Sequence, residues 1–139
     1  LLTGGKAVPT GNGLFIEPTI FDDVTPEMTI FREEIFGPVL CVTPFDSYEE
    51  AIGIANDTCY GLAASIWTSN LDKAVQGFRD LKAGRLWVNT TIAGGPELPS
   101  GGFKQSGIGR ESGSYGLDEY TEIKSVHIQL GKRAKWLAE

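Results

Sequence analysis

The stretch VLCVTPFDSYEEAIGIANDTCYGLAASIWTSNLDKAVQGFRDLKAGRLWVN, residues 39–89, decides the fold class because apolar runs alternate in it with helical patterns. VLCVTPF (39–45), LAASIWT (62–68) and RLWVN (85–89) are short and rich in apolar residues, which is typical of buried strands. The element order is therefore β-α-β-α-β, and strands joined by helical crossovers run parallel. We predict an α/β fold with a mostly parallel, doubly covered sheet.

Both helices of this stretch carry sequence signals for their ends. Ser47 to Glu50 (SYEE) has the pattern of a capping box, and helical spacing continues from there to Asn56. Asn70 can cap the second helix, which stops at Ala83-Gly84. The apolar stripe of this second helix consists of Leu71, Ala74, Val75, Phe78 and Leu81.

The composition of the chain is that of an ordinary globular domain. Its 139 residues are 41% hydrophobic and 22% charged, with a net charge of -6. The one basic cluster is Lys132, Arg133 and Lys135, so nucleic acid is not an expected partner. No apolar run approaches the roughly 18 residues that span a bilayer, and the N-terminus lacks the pattern of a secretory signal. We expect a cytoplasmic protein without a membrane partner.

The ligand site of an open parallel sheet lies beyond the carboxyl ends of its strands, which directs attention to the residues after Asn89. The segment 90–107, TTIAGGPELPSGGFKQSG, is a long loop rich in Gly and Pro, and we expect it to line a pocket. Three parallel strands also leave sheet edges that this chain has little material to cover. The chain therefore has the character of part of a larger fold.

The residues after this loop give weaker signals. Residues 107–122 contain helical spacing interrupted by Gly113 and Gly116, which predicts a short or broken helix. SVHIQL (125–130) has the alternating pattern of a strand. An arm that joins another sheet and an edge strand of the same domain explain this pattern about equally well.

Two glycine-rich patterns resemble nucleotide-binding motifs but fail on context. The glycines at 107, 109 and 113 follow a loop where a dinucleotide fingerprint requires a strand. In residues 102–107 the spacing fits a phosphate loop, yet Ile108 stands where the lysine must be. Neither pattern predicts a phosphate site.

The candidate nucleophiles and metal ligands are also poor. His127 is the only histidine, so no histidine pair can form, and no metal site is predicted. Cys41 lies in an apolar strand, and Cys59 lies beside Asp57 in a turn. Neither neighbourhood provides the helix N-terminus or basic neighbour that activates a thiol, and we expect both cysteines to be reduced, unreactive thiols.

The stretch FREEIFGPVL (31–40) places two carboxylates before an aromatic residue and a Gly-Pro pair. If it is extended, Glu34 and Phe36 share one face while Glu33 and Ile35 share the other. A carboxylate can accept hydrogen bonds from vicinal hydroxyls, and a ring can pack on a flat heterocycle. A glutamate paired with Arg32 and a core phenylalanine explain the same residues, and the residues alone slightly favour that second interpretation.

Five segments together resemble the C-terminal quarter of the NAD(P)-dependent aldehyde dehydrogenase superfamily. They stand in the order and at the spacing of that family, and the resemblance extends over essentially the whole chain. The segments are GLFIEPTIF (13–21), EEIFGPV (33–39), YGLAASIWT (60–68), GRLWVN (84–89) and GGFKQSGIGRESGSYGLDEYTEIK (101–124). The resemblance implies a C-terminal portion of a catalytic domain over residues 1–124 and an oligomerisation strand with a basic tail over 125–139.

The resemblance also implies a cofactor and a reaction. Glu34 would hold the ribose hydroxyls on the nicotinamide side of NAD or NADP, and Phe36 would contact the nicotinamide end. The intact enzyme would oxidise an aldehyde to the acid through a cysteine thiohemiacetal and thioester. The nucleophilic cysteine and the glutamate base would lie upstream of these residues. Glu111 matches a second glutamate proposed to relay protons, although a structural ion pair explains it equally well.

The resemblance says less about which aldehyde is the substrate. The loop 90–103 matches the wall of the aldehyde tunnel, so Thr90, Thr91 and Ser100 are candidate pocket residues. Ser100 stands where many relatives carry an aromatic residue, which weakens a betaine aldehyde assignment. Glu97 would favour a cationic amino-aldehyde, but a solvated side chain explains it as well.

Three further implications concern support and assembly. Arg110 and Glu122 match positions that form ion pairs in relatives, and Lys104 and Gly107 lie near a potassium site found in some of them. Residues 125–130 match an oligomerisation segment, which favours a homodimer or homotetramer. An acylating, coenzyme A-dependent semialdehyde dehydrogenase and a non-catalytic oligomerisation module are the alternatives.

Overall fold

A computed structural model describes residues 1–132 of the chain. It is a mixed α/β structure, as the sequence predicts. The strands are β1 (Ala7–Val8), β2 (Phe15–Ile16), β3 (Thr19–Phe21), β4 (Val39–Cys41), β5 (Ala63–Ile66) and β6 (Arg85–Val88). The helices are α1 (Thr29–Arg32), α2 (Tyr48–Asn56), α3 (Leu71–Asp80) and α4 (Tyr115–Asp118), with a 3-10 turn at Lys104–Ser106.

Helices α2 and α3 begin where their capping residues predict. The Ser47 hydroxyl accepts a hydrogen bond from the Glu50 amide at 3.1 Å, and Asn70 accepts one from the Lys73 amide at 2.9 Å. The Glu50 carboxylate reaches back to the amide of Asp46 at 2.8 Å, one residue earlier than the capping box places it. Helix α3 ends at Asp80, before the predicted Ala83-Gly84 stop, because the backbone becomes extended at Leu81.

The parallel pair β5–β6 is the best-packed part of the fold. Ala63 to Ile66 align with Arg85 to Val88, and α3 forms the crossover between them. Ala74 and Gly77 are the buried residues of α3, and Gly77 faces Ile66 so closely that a Cβ atom there would contact the isoleucine at 2.8 Å. Small residues on α3 therefore allow the helix to lie close against the strand pair.

Strand β4 has a different partner from the one that the element order suggests. Val39 to Cys41 pair in parallel with Thr19 to Phe21, a strand that the sequence did not predict. In residues 1–132, β3–β4 and β5–β6 are separate two-stranded sheets, and β1–β2 is an antiparallel third. The expected three strands thus do not form one hydrogen-bonded sheet within the described part of the chain. Strand β4 pairs with β3 along one edge, and β5 pairs with β6 and not with the other edge of β4.

Few side chains are buried among the described residues. Val24, at 1% exposure, and Ala74, at 4%, are the buried hydrophobic residues. One face of the β5–β6 pair carries α3, while Ala63 and Ser65 on the other face are exposed. Double cover of the sheet is therefore not seen within residues 1–132. The many exposed apolar side chains agree with the expectation that these strands belong to a larger fold.

The C-terminal predictions have mixed outcomes. Residues 107–122 contain the single short helix α4, as the interrupted pattern predicts. Residues 125–130 are exposed and have no strand partner in the described part of the chain, so the arm remains a prediction. Lys132 is exposed, whereas Arg133 and Lys135 lie outside the described residues, as does the rest of the predicted basic tail. No helix within residues 1–132 is both long and apolar enough to cross a membrane.

Two glycines provide a matched test of this packing. A Cβ at Gly84 would overlap the carbonyl oxygen of Gly101, whereas a Cβ at Gly53 in α2 would meet nothing within 4 Å. In the complete natural polypeptide we expect Gly84→Ala to lower the free energy of unfolding by about 1–3 kcal/mol. Gly53→Ala should raise it by about 0.5–1 kcal/mol, because alanine is the better helix former. Denaturant titration measures both, and equal effects of the two substitutions would contradict the packing at Gly84.

Candidate active site

A cavity of about 670 Å³ lies between the FREEIFGPVL stretch and the turn that leads into β5. Arg32, Glu33, Glu34 and Phe36 line one side of it, and Tyr60 lines another. The Lys104–Ser106 turn contributes Gln105 and Ser106. The cavity therefore joins a carboxylate-rich segment to the start of a parallel strand.

Glu34 and Phe36 lie on the same cavity, as the extended-face argument predicts. Ile35 points elsewhere and is absent from the lining, but Glu33 lines the cavity as well. The departure at Glu33 arises because the segment is not a regular strand: the chain bends there as it leaves α1, and the Gly37 amide turns back to the Ile35 carbonyl at 2.8 Å.

The alternative interpretation of this stretch, a glutamate paired with Arg32 and a core phenylalanine, does not agree with the observed contacts. Arg32 forms its salt bridge with Asp57 at 2.8 Å, the only salt bridge found within residues 1–132, and not with Glu33 or Glu34. Phe36 is 96% exposed and is therefore not a core residue in the described structure. Both the Glu34 carboxylate and the Phe36 ring are accessible to a ligand.

The pair of Arg32 and Asp57 is the strongest charged feature beside the cavity. The hydrogen bond from Arg32 lowers the pKa of the Asp57 carboxyl, and the same bond raises the pKa of the Arg32 guanidinium. Lys104 adds a weaker attraction that also lowers the pKa of Asp57. Sequence reasoning missed this pair because 25 residues separate its members.

Tyr60 is a second residue that sequence reasoning did not single out. Its pKa is raised, first by electrostatic interaction with the neighbouring Cys59 and then by burial, with smaller contributions from Glu34 and Glu33. A phenol is protonated at neutral pH even at its ordinary pKa of about 10, so Tyr60 keeps a donor on the cavity that the two glutamates line. The only signal was its place in the YGLAASIWT segment.

The candidate substrate residues lie on another part of the surface. The backbones of Ser100 and Glu111 form an isolated antiparallel bridge, with reciprocal amide-to-carbonyl hydrogen bonds of 2.7 Å. Arg85 reaches the Ser100 hydroxyl at 3.5 Å. Glu111 borders a separate cavity of about 700 Å³, while Thr90 and Thr91 are exposed. The structure thus brings Ser100 and Glu111 together but leaves both apart from the Glu34 cavity.

Arg110 and Lys104 bind backbone carbonyls in the described structure. Arg110 donates to the carbonyls of Gly102 at 3.1 Å and Gly109 at 2.6 Å, and it has no salt bridge to Glu122 within residues 1–132. Lys104 donates to the carbonyls of Asn56 and Thr58 at 2.9 and 3.0 Å. Within the same residues, no group of three or more His, Cys, Asp or Glu side chains is arranged to hold a metal ion.

Comparison with known proteins identifies the family. The family model described as "Aldehyde dehydrogenase family" matches residues 1–126, which is most of the chain. The chain belongs to the aldehyde dehydrogenase family. The resemblance of the five sequence segments is therefore confirmed.

Individual relatives of this family are similar over nearly all of the chain. "Aldehyde dehydrogenase, cytosolic 2" of Macroscelides proboscideus is 53% identical over 90% of this chain and 52% of its own length. "Aldehyde dehydrogenase [NAD(P)+] 2" of Saccharomyces cerevisiae is 52% identical over 85% of this chain and 23% of its own length. The crystal structure of an NAD-dependent aldehyde dehydrogenase from Sinorhizobium meliloti superposes with a TM-score of 0.90 and 51% identity, over 99% of this chain and 27% of that one.

The chain spans between about a quarter and a half of the length of these aldehyde dehydrogenases. The mixed α/β fold with parallel strands is that of the matched part of the family. The chain therefore corresponds to part of such an enzyme.

The pH dependence of stability tests the ion pair at the cavity. The folded-state pKa of Asp57 is lowered, so the pair stabilises the fold above the ordinary aspartate pKa of about 3.9 and loses this contribution as the pH falls through the lower folded value. In the complete polypeptide, Asp57→Asn should therefore lower Tm more at pH 7 than at pH 3. Thermal unfolding at both pH values measures this, and an equal shift at both would show that the carboxylate charge contributes nothing.

Proposed function

We propose that the complete protein is an NAD(P)-dependent aldehyde dehydrogenase that oxidises an aldehyde to the carboxylic acid. Membership of the family supports the reaction class, and the NAD-dependent enzyme of S. meliloti supports the cofactor. The observation that carries the proposal for this chain is the accessible Glu34 carboxylate beside the exposed Phe36 ring. These two groups lie on one cavity that also contains a protonated tyrosine.

The residues of the cavity fit the ribose and nicotinamide half of the cofactor. An ionised carboxylate offers acceptors only, which matches two vicinal hydroxyl donors. The Phe36 ring has nearly all of its surface available for a flat heterocycle. Glu34 would hold the ribose and Phe36 would limit the movement of the nicotinamide. The cofactor supplies the chemistry of hydride acceptance.

The proposed aldehyde site lies at the loop 90–103. Thr90, Thr91 and Ser100 would form part of its wall, and Glu111 would relay a proton near Ser100. The backbone bridge between Ser100 and Glu111 supports this, since it keeps a titratable carboxylate next to the proposed wall. We expect this wall to exclude water and to orient the aldehyde, whereas Glu111 would hold and move a proton.

The proposal extends to assembly and location. Residues 125–130 would act as an oligomerisation strand of a homodimer or homotetramer, separate from the catalytic portion at 1–124. Their exposed apolar side chains, Val126, Ile128 and Leu130, support this role because an added strand needs a face to bury. The relative named as cytosolic supports a cytoplasmic location.

The role of Glu34 has a direct test with a matched control. In the complete polypeptide, Glu34→Gln should weaken NAD binding about tenfold, because one charge-assisted hydrogen bond to a ribose hydroxyl is lost. Glu49→Gln changes an exposed glutamate in the first turn of α2 and should leave the Kd unchanged. Calorimetric titration with NAD measures both. An unchanged Kd for Glu34→Gln in a folded protein would overturn the cofactor assignment.

A further inference from the structure

We propose that Arg32 and Asp57 are positioning residues that hold the segment 33–36 at the cofactor cavity. The inference rests on the proposed function, because it concerns the same segment that carries Glu34 and Phe36. Neither Arg32 nor Asp57 is assigned contact with the cofactor. They act through the backbone that presents the two contacting side chains.

The guanidinium of Arg32 uses each side of its donor fork. Its Nε donates to the Pro26 carbonyl at 2.6 Å, one terminal nitrogen donates to the Asp57 carbonyl at 3.1 Å, and the other binds the Asp57 carboxylate at 2.8 Å. The group also lies 5.1 Å from the centre of the Phe31 ring. A planar fork with fixed donors defines direction as well as charge, so this contact fixes where α1 ends and where residue 33 begins.

The segment after Arg32 has few other anchors. At its start the Glu33 amide bonds to Thr29 at 2.9 Å, and at its end the Pro38 carbonyl accepts from the Thr19 amide at 2.9 Å. Between these points the backbone hydrogen bonds of residues 34–37 are local: the Gly37 amide donates to the Ile35 carbonyl, and the Gly37 carbonyl accepts from the Val39 amide, both at 2.8 Å. The chain is therefore a strap held at two ends, and the Arg32–Asp57 pair is the side-chain anchor of its first end.

The anchor point on the other side is rigidly held. Lys104 donates to the carbonyls of Asn56 and Thr58, on either side of Asp57, at 2.9 and 3.0 Å. The Asn56 side chain bonds in turn to the Asp80 carbonyl at 2.9 Å and accepts from the Lys82 amide at 2.8 Å. Cations at the C-terminus of α2 also interact favourably with its dipole. Asp57 thus offers Arg32 a point that is tied to α2, α3 and the Lys104–Ser106 turn.

Because the side chains of Arg32 and Asp57 are partly exposed, we expect their salt bridge to affect the position of the segment 33–36 more than the stability of the fold. The side chains of Arg32 and Asp57 are 45% and 53% exposed, and ion pairs at such positions stabilise folded proteins little. The same pair can nevertheless decide the position of Glu34, two residues from Arg32 along the strap. Small displacements of a binding group cost far more in function than in folding.

The test uses the complete natural polypeptide with three substitutions. Asp57→Asn removes the charge of the anchor, and Arg32→Lys keeps the charge but loses the fork. Asp80→Asn is the matched control, because the Asp80 carboxylate also links two helices, through Tyr48 at 2.7 Å, without lining the cavity. The readouts are the Kd for NAD by calorimetry and hydrogen exchange without NAD at the Glu33 and Gly37 amides.

We expect Asp57→Asn to weaken NAD binding about tenfold and to speed exchange at both amides by a similar factor. Arg32→Lys should give a smaller change in both quantities, and Asp80→Asn should change neither. The Michaelis constant for the aldehyde should stay within about twofold, since no hydrogen bond or salt bridge joins residues 90–103 to Arg32 or Asp57 in the described part of the chain.

Three outcomes would overturn the positioning role. An unchanged Kd for Asp57→Asn, alongside a weakened Kd for Glu34→Gln, would remove this inference and keep the cofactor site. Equal effects of Asp57→Asn and Asp80→Asn on Kd and exchange would show that the Arg32–Asp57 pair only contributes to general stability and does not position the segment 33–36. If Glu34→Gln also leaves the Kd unchanged, the cofactor assignment fails together with the inference.

Discussion

The hydrogen bonds of the Gly61 backbone fix how β5, β6 and the long loop 90–103 lie against one another. The Gly61 carbonyl accepts hydrogen bonds from the amides of Gly84 at 3.0 Å and Phe103 at 2.8 Å, while the Gly61 amide donates to the Ser106 hydroxyl at 2.9 Å. This buried glycine thereby joins the start of β5, the start of β6 and the end of the long loop. A Cβ at this position would lie 2.6 Å from the Lys82 carbonyl, so only glycine allows the close approach.

This junction connects the two parts of the proposed active site, which are the Glu34 cavity and the loop 90–103. Tyr60 precedes the junction and faces the cavity of Glu34, whereas Ser100 precedes the point where the loop returns to it. The loop side is held by backbone pairing and by Arg85 and Arg110, which bind Ser100 and backbone carbonyls. On the side proposed for the cofactor, the side-chain anchor is the Arg32–Asp57 salt bridge. A loop fixed by an isolated β-bridge and by arginine contacts thus carries one face of the proposed site, and a strap with a charged anchor carries the other.

The sequence predicted the parts of the fold that have local signals. Ser47 and Asn70 fixed the starts of α2 and α3, because capping acts within one helical turn. Strand β3 was missed because three residues, Thr19–Phe21, are too short to show a period. The α/β class with parallel strands is confirmed, but element order does not reveal which strands are neighbours, so the pairing of β4 with β3 was not predicted.

The site was predicted to a similar extent. Alternation along the chain placed Glu34 and Phe36 on one face, but only the resemblance gave that face a ligand. Arg32 and Asp57 could not be paired from the sequence, because their contact depends on how α1 and the end of α2 meet.

The most direct measurement is a crystal structure of the complete protein with NAD. The account predicts that the Glu34 carboxylate accepts hydrogen bonds from the nicotinamide-side ribose, with Arg32 bound to Asp57. A ribose held by other residues, with Glu34 turned to solvent, would contradict it.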